Sequence, residues 1–204
     1  MFITFEGPEG SGKSTQIPAL AEFLQAQGHA VLTTREPGGT EIGEQIRAVI
    51  HDLKNTAMHP RTETLLYQAA RAQIVEQIIR PHLAAGGIVL CDRYADSTIA
   101  YQGYGHQQNL DDVRLLVRYA TEGLKPDLTL LLDIDVEAGL GRKQGEEWNR
   151  LDAYAVDFHR RVRAGYHQLA QEEPQRWVVI DASQSPEFVA AAIRASVLQR
   201  LGKP

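Results

Sequence analysis

The stretch FEGPEGSGKST at residues 5–15 decides how this chain folds. It contains a glycine, four further residues and then Gly12-Lys13-Ser14, which is the spacing of a phosphate-binding P-loop. An apolar run that predicts a strand precedes the loop and a helical segment follows it, as the motif requires. The alternative is a chance glycine-rich turn, but such a turn would not require a strand before it and a helix after it. The sequence therefore predicts a nucleoside triphosphate site at residues 7–14.

The chemistry expected of the loop follows from its residue types. Glycines let the backbone turn tightly, so that N–H groups and the N-terminus of the next helix face the phosphates. Lys13 should reach the β- and γ-phosphates, and the Ser14 hydroxyl should help to hold Mg²⁺. We expect the triphosphate to contact nine residues: Gly7, Pro8, Glu9, Gly10, Ser11, Gly12, Lys13, Ser14 and Thr15.

The composition predicts one globular domain that spans residues 1–204, since 43% of the residues are hydrophobic and 23% are charged. A net charge of −5 argues against a broad basic face for nucleic acid. Cys91 is the only cysteine, which excludes an internal disulfide and fits a reducing cytoplasm. No apolar run is long enough to span a membrane, and the first residues predict a strand, not a signal peptide.

Short apolar runs alternate with longer helical segments along the chain. This alternation predicts a three-layer α/β domain with a parallel sheet covered by helices. The strands are predicted at residues 2–5, 30–33, 88–91, 128–132 and 177–180. Three of these runs lead into charged residues, at Glu6, Asp92-Arg93 and Asp133. Because ligands collect at the carboxyl ends of strands in such sheets, we expect these residues to converge on one site.

Apolar residues at helical spacing and end signals predict the helices. One helix is predicted to follow Lys13 and to stop at Gly28. A long helix is predicted from Leu65 to Leu83, with a bend near Pro81. Ser185-Pro186 predicts the start of the last helix. Three further helices are predicted from the stripes Ile42, Ile46, Val49, Ile50, Leu53 and Val113, Leu116, Val117, Ala120, and from the longer, more polar segment 152–173.

A P-loop alone allows a GTPase, an ATP-driven machine, a kinase or a regulator that binds nucleotide without transferring phosphate. The Asn-Lys-x-Asp guanine reader of GTPases is absent from the sequence. The third strand ends in Asp92-Arg93-Tyr94 and not in the Asp-Glu of machine-type ATPases. An arginine directly after the acid indicates a second anion nearby, which favours transfer to a phosphorylated acceptor.

The sequence resembles the thymidylate kinase family. The matching stretches are GPEGSGKST, TREPGGTEIG at 34–43, LLYQAARAQ at 65–73, DRYADSTIAYQG at 92–103 and LKPDLTLLLDI at 124–134. The resemblance implies a P-loop nucleoside monophosphate kinase fold with a five-stranded parallel sheet in the order 2-3-1-4-5. It also implies Mg²⁺-dependent transfer from ATP to dTMP and a homodimer. A kinase for another pyrimidine nucleotide or for a deoxynucleoside is the nearest alternative.

The resemblance assigns eight residues to dTMP: Glu9, Arg35, Tyr67, Arg71, Arg93, Ser97, Tyr101 and Gln102. Tyr67 would stack on thymine, Arg71 would read a thymine carbonyl, and Tyr101 would pack where a ribose 2′-hydroxyl would lie. Arg35 and Arg93 would hold the acceptor phosphate, because guanidinium offers paired donors in one plane. From the residues alone, Tyr67 could instead be a core aromatic, while Arg35 and Arg71 could be solvated charges.

The expected catalytic residues are Lys13, Asp92, Arg93 and basic residues of a mobile lid at about 139–152. Asp92 would act on Mg²⁺ through water, and it could also pair structurally with Arg93. Ser14 and Glu9 are the other predicted metal contacts. Because positions 8–11 carry no arginine, the lid should supply positive charge to the moving phosphoryl group. We expect Arg150 to do so, with Arg142 as the second candidate.

Overall fold

The computed structural model describes residues 1–143, 150–151 and 154–202. Within these ranges the sheet is parallel, five-stranded and ordered β2-β3-β1-β4-β5, which confirms the predicted fold. The strands are β1 (Phe2–Glu6), β2 (Val31–Arg35), β3 (Ile88–Asp92), β4 (Leu128–Asp133) and β5 (Trp177–Asp181).

The helices cover both faces of the sheet. They are α1 (Lys13–Ala26), α2 (Glu41–His51), α3 (Pro60–Ile74), α4 (Arg80–Ala84), α5 (Ala95–Thr98), α6 (Leu110–Thr121), α7 (Val136–Lys143), α8 (Val156–Glu172) and α9 (Pro186–Leu201). Helices α1 and α9 pack on one face, while α3, α6 and α8 pack on the other. None of the helices in the described ranges combines the length and apolar character needed to cross a bilayer.

The strand order brings the charged strand ends together. The central strand β1 lies between β3 and β4, and Phe5 is in register with Asp92. Glu6, Asp92 and Asp133 therefore lie at the same edge of the sheet. The P-loop also begins at this edge and leads into α1, whose N-cap Gly12 has a φ of 87°. The fold thus places the loop among the strand ends, as predicted.

The long helix predicted at Leu65–Leu83 differs from the one observed. It begins earlier, at Pro60, and is interrupted by a π-helical segment at Val75–Ile79 before α4 starts. Proline has no N–H to donate, and the wider π turn lies directly before Pro81. A second π segment, Ile99–Gly105, follows α5 and was not predicted. It carries two predicted site residues, Tyr101 and Gln102.

The apolar stripe predicted at residues 42–53 forms α2 and the turn after it, but most of the stripe lies outside the core. Ile50 is fully buried, whereas Ile42, Val49 and Leu53 are each about half exposed. Helix α2 packs on α3, which in turn packs on α6. Exposed apolar side chains also occur on α3 and α6, among them Leu65. Helical spacing shows that a stripe is apolar but cannot show what covers it.

Candidate active site

A cleft of about 600 Å³ opens at the carboxyl edge of the sheet. Its lining includes P-loop residues 9–15 together with Arg35, Tyr67, Asp92, Arg93 and Arg142. A narrower cavity adjoins it and is lined by seven of the eight predicted dTMP residues: Glu9, Tyr67, Arg71, Arg93, Ser97, Tyr101 and Gln102. The eighth, Arg35, lines the larger cleft. The structure therefore brings the two predicted sets of residues side by side.

Lys13 is folded back over its own loop. Its Nζ donates to the backbone oxygens of Gly7, at 3.2 Å, and Pro8, at 3.0 Å, and to Ser11 Oγ at 3.1 Å. Burial and the nearby charge of Arg93 lower the pKa of Lys13 to about 8. An anion bound in the loop would reverse this effect. The amine is therefore held where phosphate charge would stabilise its protonated form.

Arg93 connects the P-loop with the narrower cavity. Its guanidinium donates to the backbone oxygen of Gly7 at 3.0 Å, to Glu9 Oε1 at 2.7 Å and to the Tyr166 hydroxyl at 3.1 Å. It also lies 5.0 Å from the centre of the Tyr101 ring, within range of a cation–π interaction. Arg93 is consequently fixed between the loop that would hold the donor and the cavity beside it.

The acid inside the P-loop faces the second cavity. Glu9 Oε1 accepts hydrogen bonds from Arg93 and, at 3.0 Å, from the Tyr101 hydroxyl. The Tyr101 ring is almost fully buried and packs edge-on against Phe158 and Tyr166. These contacts give the cavity a rigid wall formed by a phenol, a carboxylate and a guanidinium.

Arg71 is neither a solvated charge nor an unpaired one. It is fully buried, and its guanidinium donates to Glu36 at 2.8 Å, to Gln68 at 2.9 Å, to Thr98 at 2.8 Å and to the backbone oxygen of Tyr94 at 2.9 Å. Burial raises the pKa of Glu36, and the charge of Arg71 works against that rise. Arg71 thus holds together α3, α5 and the turn after β2, and it also lines the narrower cavity.

Two carboxylate oxygens at the cleft are buried without a hydrogen-bond partner among the described residues, Glu36 Oε1 and Asp92 Oδ1. Both residues line the larger cleft. Because a buried unpaired oxygen is costly, such atoms call for a ligand donor or cation. Sequence reasoning named Asp92 for this role but did not commit to Glu36.

Arg35 is about half exposed and forms a two-pronged pair with Glu44, at 2.6 and 3.1 Å. The hydrogen bond from Arg35 lowers the pKa of Glu44 to about 2. Sequence reasoning missed Arg47, which lines the same cleft and donates to the backbone oxygen of Pro37 at 2.9 Å. Arg47 lies in the last half of α2, and no motif marks it. Only the packing of α2 beside the turn after β2 reveals it.

Ser97 and Gln102 both contact buried acids. Ser97 Oγ hydrogen-bonds to Glu6 Oε2 and, at 2.7 Å, to the Tyr166 hydroxyl, while Gln102 Nε2 donates to Glu63 Oε1 at 2.8 Å. Burial, together with the charge of Asp96, raises the pKa of Glu6 to about 7. Sequence reasoning named Glu6 only as a strand-end acid near the site, and it did not predict Tyr166 or Glu63.

The two arginines predicted for the lid occupy different environments. Arg142 lines the larger cleft and donates to the backbone oxygen of Ala182 at 2.9 Å. Arg150 is buried and donates to the backbone oxygen of Ile50 at 2.9 Å, to the Tyr154 hydroxyl at 2.7 Å and to Glu63. Residues 144–149 and 152 of the predicted lid lie outside the described residues.

A P-loop beside an arginine-lined second cavity, on a sheet of this order, defines a kinase of the P-loop nucleotide kinase class. A sequence model described as "Thymidylate kinase" matches residues 5–193, and the chain belongs to the thymidylate kinase family. A thymidylate kinase of Roseiflexus castenholzii is 54% identical over 97% of this chain and 92% of its own. Another, from Thermomicrobium roseum, is also 54% identical and covers 97% and 94%.

A solved structure supports the same family. The crystal structure of thymidylate kinase from Ehrlichia chaffeensis matches with a TM-score of 0.79 and 34% identity, over 97% of this chain and 98% of that one. The fold and the nucleotide kinase class predicted from the sequence are thereby confirmed.

Proposed function

We propose that this protein transfers the γ-phosphoryl group of ATP to dTMP, giving ADP and dTDP. The observation that carries the proposal is Arg93, whose guanidinium contacts the P-loop backbone at Gly7 and faces the neighbouring cavity next to Glu9. One cation thereby lies between two phosphate sites, as transfer from one phosphate to another requires. The chain's family is consistent with this reaction.

The reaction proceeds by direct in-line transfer. A phosphate oxygen of dTMP attacks the γ-phosphorus of ATP, the bond from that phosphorus to the β–γ bridging oxygen breaks, and ADP leaves with the electron pair. Lys13 and the loop N–H groups stabilise the donor phosphates, while Arg93 stabilises charge on the transferring group. No enzyme nucleophile is needed, because positioning and charge stabilisation supply the catalysis.

Selection of a deoxynucleotide is assigned to Tyr101. Its buried ring and its hydrogen bond to Glu9 make it a firm wall of the narrower cavity. A ribose 2′-hydroxyl pressed against such a wall would meet carbon atoms and lose its water partners. Tyr67, which lines both cavities, is assigned to stacking on thymine.

Mg²⁺ is the metal that we assign to the cleft. The residues present fit it, because Asp92 Oδ1 is a buried hard donor with no partner among the described residues, and Ser14 is exposed in the same cleft. Mg²⁺ is usually held by one or two carboxylates together with phosphates and waters. When bound, the ion neutralises charge that develops on the phosphates. Glu9 is less suited than Asp92, since its Oε1 is shared by Arg93 and Tyr101.

A homodimer in a reducing cytoplasm completes the proposal. Ile42, Val49 and Leu65 are exposed apolar side chains on two helices that pack together, which supports self-association through these helices. Sedimentation of the purified chain would test it, and a monomer at all concentrations would contradict it. The cytoplasm is supported by Cys91, a free cysteine, because a reducing compartment keeps thiols reduced.

The experiment that tests the activity is an acceptor screen. ADP formation would be measured with ATP and Mg²⁺ and, in turn, dTMP, dUMP, UMP, dCMP and thymidine. We expect dTMP to give the highest kcat/KM, with UMP far below dUMP because of Tyr101. Faster turnover of thymidine than of dTMP would contradict the monophosphate acceptor. If no acceptor raised ADP formation above background, the proposal of a kinase would be wrong.

A further inference from the structure

A fully buried carboxylate outside the predicted site joins three parts of the chain. Glu63, in the first turn of α3, is completely buried. Its Oε1 accepts from Gln102 at 2.8 Å and from His106 at 3.1 Å. Its Oε2 accepts from Arg150 and, at 3.2 Å, from the Tyr154 hydroxyl. These four hydrogen bonds fill the acceptor sites of the carboxylate, so Glu63 ties all four partners to α3.

The charge state of Glu63 is compatible with this arrangement. Burial alone would raise its pKa, but the hydrogen bonds from His106 and Arg150 outweigh burial and lower the pKa to about 2. The carboxylate is therefore ionised at neutral pH and pairs with the Arg150 guanidinium. A buried ion pair whose remaining lone pairs are also satisfied is held firmly, and removing one partner leaves the other uncompensated.

The partners of Glu63 lead directly to the acceptor cavity. Gln102 lines that cavity, and so does Tyr67, which follows Glu63 by one helical turn on α3. Leu151, adjacent to Arg150, lines both the cavity and the larger cleft. Leu151 thus forms the wall where the donor and acceptor spaces meet.

Arg150 is anchored well enough to fix the backbone next to it. In addition to Glu63, it donates to the backbone oxygen of Ile50 near the end of α2 and to the Tyr154 hydroxyl. The Tyr154 ring packs on Phe158, with the ring centres 4.4 Å apart. Nearly all of the Arg150 side chain is buried. The placement of Leu151 therefore depends on the Arg150 anchor, and that anchor depends on Glu63.

We propose that Glu63 is a positioning residue for the acceptor: through Arg150 it holds Leu151 against the dTMP cavity, and through its hydrogen bond it orients Gln102, a second lining residue of that cavity. The inference rests on the proposed function, because it assigns the cavity to dTMP. Glu63 does not touch the reacting atoms. Its loss should therefore weaken acceptor binding more than it slows the chemical step.

The test uses Glu63→Gln, which keeps the size of the side chain and removes its charge, in the full chain. We expect KM for dTMP to rise about tenfold, KM for ATP to stay within twofold and kcat to fall less than threefold. The matched control is Glu22→Gln, an exposed glutamate on α1, which should leave all three constants unchanged. A fall in kcat at unchanged KM for dTMP would indicate only a smaller folded fraction and would overturn the proposal.

Trypsin cleavage after Arg150 provides a measurement that does not depend on activity. The buried Arg150 side chain should protect the Arg150–Leu151 bond in the wild type, and Glu63→Gln should accelerate cleavage there at least tenfold, as followed by mass spectrometry. Unchanged cleavage would overturn the route through Arg150. If the wild type failed to phosphorylate dTMP, the function would be wrong, yet this cleavage result would still test the anchor.

A milder variant guards against a failure of Glu63→Gln to fold. Tyr154→Phe removes the hydrogen bond to Glu63 and the one accepted from Arg150, and keeps the ring on Phe158. It should raise KM for dTMP and the rate of cleavage after Arg150 about twofold to threefold each. A Tyr154→Phe protein with wild-type values for both would overturn the proposal.

Discussion

The closest backbone approach in the site lies between the P-loop and α7, and it yields a sharp prediction. A Cβ atom added at Gly139 would lie 2.3 Å from the backbone oxygen of Glu9, and one added at Gly10 would lie 2.0 Å from the backbone oxygen of Gly139. Ordinary contacts of this kind begin near 3.4 Å. Both atoms that would be struck belong to the backbone, so no side-chain rotation could relieve the clash.

Gly139→Ala should therefore separate α7 from the P-loop by about 1 Å, the gap between the contact at Gly139 and ordinary van der Waals distance. Arg142, one turn further along α7, would move with the helix away from the cleft that it lines. A misplacement of about 1 Å can cost roughly 100-fold in rate. We expect kcat/KM for ATP to fall about 30-fold to 100-fold, with KM for dTMP within twofold, in steady-state assays that vary each substrate separately.

The matched control lies two residues further along the same helix. No described atom outside the immediate neighbours lies within 4 Å of a Cβ added at Gly141. Gly141→Ala should keep wild-type kinetics and, through helix propensity, gain up to about 1 kcal/mol in the free energy of unfolding. Wild-type kcat/KM for ATP in Gly139→Ala would refute the close contact as the reason for a glycine there. Equal losses in both variants would show that any added methyl group on α7 has this effect, and would overturn the role of the close contact.

Three further predictions concern charged groups of the site. The sequence favoured Arg150 for the transferring phosphate, but Arg142 lines the larger cleft whereas Arg150 is buried against Glu63. Arg142→Ala should therefore lower kcat more than tenfold with little change in KM for dTMP. If Arg150→Ala alone did so, Arg150 would be the residue that contacts the transferring phosphate. Arg71→Ala leaves Glu36 buried and unpaired, so urea unfolding should show that the free energy of unfolding falls by about 3–5 kcal/mol. The control Arg61→Ala, at an exposed position, should lower it by less than about 0.5 kcal/mol. A loss below about 1 kcal/mol in Arg71→Ala would be inconsistent with a buried pair. Because the pKa of Lys13 is lowered to about 8, about half of the protein carries a neutral Lys13 at pH 8, and ATP binding there should take up about half a proton. Calorimetry in buffers of different ionisation enthalpy measures this uptake. Undetectable uptake would contradict the lowered pKa.

The parts of the fold that the sequence predicted are those set by local pattern. All five strands were placed to within two residues, because buried parallel strands are short, apolar on both faces and bounded by helical segments. The cap at Ser185 was also predicted, and its side chain accepts from Phe188 N as expected. These features depend on residues adjacent in the chain, so a single sequence displays them.

The features that escaped prediction depend on contacts between distant residues. The π segment at Ile99–Gly105 inserts extra residues into a helical path, and its apolar spacing does not distinguish it from an α-helix. Glu63 and Arg150 are 87 residues apart, and nothing local indicates that they pair. The stripe on α2 is apolar as predicted, but which of its residues are exposed depends on how α2 packs against α3. Motifs located the site, while packing determined which side chains support it.

The acid in the P-loop is best understood through Arg93. This residue adopts a left-handed backbone, with a φ of 63°, which costs a non-glycine side chain roughly 1–2 kcal/mol. In this conformation the Arg93 guanidinium hydrogen-bonds to Gly7 and Glu9, which follow the end of β1. Without Glu9, the partly buried charge of Arg93 would lose its carboxylate partner. Arg93 also lies close enough to Lys13 to lower the pKa of that amine. The negative charge of Glu9 therefore allows Arg93 and Lys13 to lie close together before substrate binds. A bound phosphate can then supply part of that negative charge, with the Arg93 side chain already in position.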